Sequence, residues 1–137
     1  ALTVIRVDDF TMGIVTCFDL RFPELWAALR RQGVDVFLLA ANFTFRTGEA
    51  HWETLIRARA IENQCYVVAA AQWGSHPGLP HPSYGHALIA DPWGGIVAEA
   101  GAQNNGLAVA EITQERIEEV RKQMPLDTHR KPELYQG

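Results

Sequence analysis

The sequence predicts an α/β fold, with a parallel sheet covered by helices. Three observations carry this. The segments GIVT (13–16), VDVFLL (34–39) and CYVVAAA (65–71) are largely apolar and do not alternate, as strands buried on both faces tend not to. Between them lie segments of helical character, residues 23–31 and 52–63. Two successive strand–helix–strand crossovers share one hand, so without a reversal of strand order both helices lie on one face of the sheet. The other face then needs a cover of its own.

Taken in order, residues 2–7 read as a strand closed by a turn at Asp8-Asp9, and residues 12–16 as a β-branched strand. Pro23 suits the first turn of the helix over 23–31. A strand over 36–40 follows. Residues 43–50 are expected to be a loop, because Gly48 and several Thr break any period. The helix over 52–63 places Trp52, Leu55, Ile56 and Ala60 on one face. Residues 64–72 form an apolar strand, and 74–84 a loop with three prolines. Residues 85–90 and 96–100 are expected to pair as a hairpin around the turn DPWGG. A last strand is expected over 106–111, then an amphipathic helix over 113–123 capped by Thr113. Residues 124–137 read as a polar tail.

Hydrophobic residues make up 47% of the 137 and the formal net charge is -4, which suits one globular domain over 1–137. The mild acidity and the lack of a basic run argue against a nucleic-acid partner. Charged residues interrupt every apolar stretch before it reaches the length of a membrane span. The first residues lack the basic-then-apolar pattern of a signal peptide. With two cysteines and no disulfide framework, reduced thiols and a cytoplasmic setting are expected.

Cys17 lies between the strand 12–16 and the helix 23–31. A strand-to-helix bend lifts a side chain out of the sheet toward the N–H groups that follow, which favour a thiolate and bind an oxyanion. Position alone leaves a small buried hydrophobe as an equal alternative. The surrounding motifs are more specific: CFDLRFPEL (17–25), AHWETLIRARAIENQCYVVAAAQ (50–72), SYGHALIADPWGGIVAEA (83–100) and HRKPELY (129–135). In this order they resemble the nitrilase superfamily, the carbon–nitrogen hydrolases, and most of all its deaminated glutathione amidase and omega-amidase-like branch.

The resemblance implies half of a four-layer α-β-β-α nitrilase-type sandwich, the second sheet supplying the missing cover. Family chains are roughly double this length, so the resemblance is to their C-terminal half. An apolar patch is expected where the N-terminal half is missing. The resemblance also implies a thiol amidase without a cofactor or metal. Cys17 attacks a small amide, a Glu takes the thiol proton, and a Lys and the backbone N–H of Phe18 hold the oxyanion. Neither partner is found upstream: the only lysines are Lys122 and Lys131, and the only acids before Cys17 are Asp8 and Asp9. Homo-oligomers are implied for the complete protein. Two other readings stay open, an inactive subunit that pairs with intact family members and a self-contained Cys–His hydrolase using His51 or His86.

Arg21, four residues after Cys17, is a candidate for holding a substrate carboxylate through its bidentate fork; the alternative is a structural pair with Asp19 or Glu24. Phe43 and Thr44 follow a strand at the C-terminal edge of the sheet, where loops line sites. Arg59 falls inside the apolar arc of its helix, and a buried guanidinium needs a carboxylate; Asp19 and Glu24 are the expected partners. His76, His81 and His86 recur every fifth residue, but intervening prolines and the lack of a nearby Cys argue against a metal site. His86 in SYGH is expected to make a structural hydrogen bond near the site.

Overall fold

The computed structural model describes residues 2–101 and 105–135. Its main sheet has six strands in the order β1-β2-β3-β4-β7-β8. These are β1 (Thr3–Val7), β2 (Phe10–Thr16), β3 (Val36–Ala41), β4 (Tyr66–Ala71), β7 (Leu88–Ala90) and β8 (Ile96–Glu99). The centre, β2-β3-β4, is parallel; β1 flanks it antiparallel on one side and the β7-β8 hairpin on the other. Helix α1 (Pro23–Arg31) joins β2 to β3, and α2 (Phe45–Asn63) joins β3 to β4. The α/β class read from the sequence is the one observed.

The strand order runs on without reversal, and both crossover helices pack on one face. Trp26 and Leu29 of α1 and Trp52, Ile56 and Ala60 of α2 form one buried cluster with Val15, Phe37, Leu39, Val67 and Ala69. The opposite face carries the row Ile14, Leu38, Val68 and Ile89, register partners across four strands. Helix α3 (Gln114–Gln123) covers one end of that face, where Ile117 is buried with Val36 and Tyr66. Toward β1 the cover ends, and Ile5 and Ile14 stay 39% and 42% exposed. Large apolar side chains left in water on a sheet face mark a docking surface or an aggregation liability.

Several elements differ from the sequence reading. Residues 45–50 belong to α2, which starts after Thr44 rather than at Trp52. Gly48 does not break the helix, because it is a point of close approach: a Cβ there would lie 2.3 Å from Tyr84. Tyr84 lies in a two-residue strand β6 (Ser83–Tyr84), paired with β5 (Trp73–Gly74), so the proline-rich loop is closed at its base. Residues 106–111 form no strand; Leu107 and Val109 are 88% and 82% exposed and find no ladder partner among the described residues. The tail contains a short helix α4 (Leu126–His129) and a 3-10 turn at Pro132–Leu134. Gln64 is the left-handed residue that ends α2, so β4 begins two residues later than expected.

The hairpin and the Thr113 cap match their sequence signals. The Thr113 side chain accepts from the Arg116 N–H at 3.1 Å. The hairpin turn is fixed by Asp91, whose Oδ1 accepts from the N–H groups of Trp93 and Gly95 at 3.0 and 2.8 Å. Its Oδ2 takes both Nε and Nη2 of Arg116, tying the turn to α3.

Candidate active site

Cys17 directly follows β2 and opens a 3-10 turn over Cys17–Arg21. Its φ is +42°, a left-handed conformation that costs a non-glycine residue about 1–3 kcal/mol. Surrounding contacts hold the bend. Asp19 Oδ2 accepts from the Thr16 N–H at 2.9 Å, and the Asp19 carbonyl accepts from the Trp26 indole at 2.9 Å. The Leu20 carbonyl accepts from Arg59 Nε at 3.1 Å. As the first N–H groups of a helical turn, those of Phe18 and Asp19 have no carbonyl partner within it.

The thiol faces a cleft of about 460 Å³ lined by Thr16, Cys17, Ala40, Ala41, Asn42, Ala70, Ala71 and Gln72. These residues stand at the C-terminal ends of three parallel strands, where loops diverge. Four alanines leave the hollow there. Cys17 Sγ donates to the Asn42 carbonyl at 3.6 Å, and the Ser83 hydroxyl donates to the Asn42 side-chain oxygen. A larger groove of about 630 Å³ runs between α1 and the tail, but no thiol lines it.

Arg21 closes the turn. Its guanidinium carbon lies 5.5 Å from the Phe18 ring centroid and 5.2 Å from that of Phe43. Nη1 donates to His51 Nδ1 at 3.2 Å. No carboxylate forms a salt bridge with Arg21 among the described residues, so the structural pair with Asp19 or Glu24 is not what holds it. Glu24 is exposed in the first turn of α1 and lines a groove shared with Glu62, His129 and Arg130, away from the thiol cleft. Phe43 is buried and stacks edge-on against Trp52. Of the expected substrate-binding residues, Arg21, Phe43 and Thr44, none lines the thiol cleft itself. Arg21 and Phe43 lie against each other, and Thr44 lies in a separate hollow with Phe45, Arg46 and His81, its hydroxyl donating to Thr47.

His86 is held in a left-handed conformation, φ +59°, stacked 4.3 Å from the Tyr84 ring and bonded through Nδ1 to the Glu99 carboxylate. Its carbonyl accepts from the Trp52 indole at 2.7 Å, so it supports the ring on which Phe43 rests. Among the described residues no histidine is hydrogen-bonded to Cys17.

The carbon–nitrogen hydrolase family model matches residues 1–122. The chain belongs to the carbon–nitrogen hydrolase family. It is 52% identical over 128 residues to a deaminated glutathione amidase of Synechocystis sp., covering 93% of this chain and 46% of that protein. It is 46% identical over 124 residues to the Homo sapiens deaminated glutathione amidase, covering 90% and 37%. The crystal structure of the C. elegans NitFhit protein superposes with a TM-score of 0.86 at 46% identity, over 91% of this chain and 30% of that one. Saccharomyces cerevisiae Nit3, a member of branch 10 of the nitrilase superfamily, gives 0.81 at 36% identity, over 90% and 45%. The chain thus spans less than half the length of these relatives.

Arg59 and Cys65 of this carbon–nitrogen hydrolase chain lie outside the lining of the thiol cleft. Arg59 is buried, as its place in the apolar arc implied, but its partner is Glu62 at 3.0 Å, one turn on in α2, and neither Asp19 nor Glu24. The Glu62 side chain is 49% exposed, so removing Arg59 strands no buried charge. Arg59→Ala is therefore expected to cost about 1–3 kcal/mol, from lost packing and the unpaired Leu20 carbonyl, rather than the 3–5 of a broken buried pair. Urea unfolding of the Arg59→Ala protein checks this. Cys65 is buried with its thiol 3.1 Å from the carbonyls of Val34 and Asn63. Burial pushes that thiol up to about 11, against the pull of Arg121, so it stays protonated at neutral pH. Both cysteines are free.

Sequence reasoning missed Asn42, Gln72 and the alanine pairs of the cleft, as well as the bond between Arg21 and His51. The small residues that end two apolar strands, LLAAN and AAAQ, were the available signal for the cleft. Nothing in the spacing of Arg21 and His51 marks their contact.

Proposed function

We propose that this chain is the C-terminal portion of a carbon–nitrogen hydrolase domain whose nucleophile is Cys17. The proposed reaction is hydrolysis of a small carboxylate-bearing amide. One observation carries the reading: Cys17 sits on a strained bend facing an alanine-lined cleft, one turn from a guanidinium that has no carboxylate partner among the described residues. The Cys17 thiolate attacks the amide carbon, the C–N bond breaks, and nitrogen leaves as ammonia with the proton taken from the thiol. Water then cleaves the thioester, giving the carboxylic acid and the free thiol.

The Phe18 N–H supplies one oxyanion donor. The base Glu and the second donor, a Lys, belong to the N-terminal half in this reading; Lys122 lies in α3 and Lys131 beyond α4. That half also covers the exposed face around Ile5 and Ile14. Relatives named deaminated glutathione amidase suit a carboxylate-bearing substrate, because glutathione itself carries carboxylates. Two free thiols suit a cytoplasmic setting, and the complete protein is proposed to be a homo-oligomer.

The test is substrate class. In the complete hydrolase, Arg21→Ala is expected to raise KM for a monoamide of a short dicarboxylic acid by about 10–100-fold, the worth of a charged hydrogen bond. KM for a neutral aliphatic amide should stay within about threefold. Equal changes for both amides would make Arg21 a purely structural residue.

A further inference from the structure

Arg21 is held in an uncommon way. Its guanidinium lies near two aromatic rings, Phe18 and Phe43, and its one side-chain hydrogen bond among the described residues is to a ring nitrogen, His51 Nδ1. A guanidinium has five N–H donors and no acceptor, so the lone pair of that bond belongs to His51. The imidazole is therefore neutral when the bond is made, with its proton on Nε2. A carboxylate in the place of His51 would neutralise the cation. A neutral imidazole fixes its direction and leaves its charge and the remaining N–H groups for another anion.

His51 is well placed for this. It lies in the second turn of α2, one residue before Trp52, whose indole is bonded to the His86 carbonyl and whose ring packs on Phe43. The element that anchors Phe43 beside the guanidinium thus also carries the acceptor that orients it. An unrestrained arginine carries about 2 kcal/mol of rotamer entropy, which an anionic ligand would otherwise have to freeze on binding.

We infer that His51 is a positioning residue for substrate selection: its Nδ1 lone pair orients Arg21 toward the carboxylate of the amide substrate. This rests on the reading of Arg21 given above. It also gives His51 a role other than base to Cys17, since the nitrogen that would take a proton is occupied by Arg21.

The test uses the complete hydrolase with two probes, succinamate (anionic) and butyramide (neutral). His51→Ala is expected to raise KM for succinamate about tenfold, with kcat within about twofold and butyramide kinetics unchanged. His51→Asn, which keeps an acceptor oxygen near the Nδ1 position, is expected to restore KM to within about threefold of the parent. Equal loss with both amides, or a fall in kcat alone, overturns the inference. Arg21→Ala measured alongside separates the two claims. If Arg21→Ala discriminates between the amides and His51→Ala does not, only the role of His51 fails. If Arg21→Ala does not discriminate, the carboxylate reading itself fails. Imidazole nitrogen NMR of the parent supplies a readout independent of turnover: neutral His51 should show the Nε2–H form, with a Nδ1 shift that moves in Arg21→Ala. The Nδ1–H form would also overturn the inference.

Discussion

The 137-residue chain alone is expected to release no measurable ammonia from any amide, and joining it to an N-terminal half that supplies a Glu and a Lys is expected to start release. A missing general base typically lowers a rate by about 10²–10⁴, and a missing oxyanion donor by about 10²–10³. The two effects need not multiply, since groups that act as a unit are not additive, but either suffices to bury the activity in background. The same joining should change the physical state. With Ile5 and Ile14 39% and 42% exposed on an uncovered sheet face, the chain alone is expected to self-associate. Size-exclusion chromatography beside an ammonia assay checks both. A monodisperse short chain with steady turnover would favour a self-contained mechanism, and turnover lost on His51→Ala or His86→Ala would point to a Cys–His pair.

In the joined protein, Cys17→Ser is expected to lower turnover by about 10⁴–10⁶, the scale seen when a nucleophile is removed from an intact site. A serine hydroxyl is a far weaker nucleophile without a strong base beside it. Cys65→Ser should leave turnover within about twofold, since that thiol is buried, donates to main-chain carbonyls and is pushed up to about 11. Its cost falls on stability, about 1 kcal/mol. The paired measurement separates loss of the nucleophile from general damage to the sheet.

The sequence exposed the frame of this fold better than its site. Three apolar strands without alternation, separated by helical segments, led to the parallel centre, the shared helical face and the exposed opposite face. Periodicity failed at Gly48, where the deciding contact is with Tyr84, 36 residues away in the chain. It failed again over residues 106–111, whose β-like composition finds no ladder partner among the described residues. The place of Cys17 on its bend was legible because a bend between strand and helix can be read locally. The partners of Arg21 and Arg59 were not. The expected partners were acids close to Cys17 in the chain, whereas helix packing brings His51 to Arg21, and Arg59 pairs with Glu62 on its own helix. Short-range spacing marks turns; pairings across elements depend on which helix turn faces which.

Acylation of Cys17 is read out by mass spectrometry of the joined protein, acid-quenched during turnover of succinamate. A succinyl adduct is expected on the peptide containing Cys17, disappearing as substrate is exhausted and absent in Cys17→Ser. Ammonia release with no adduct on that peptide, or with an adduct on Cys65 instead, would contradict it.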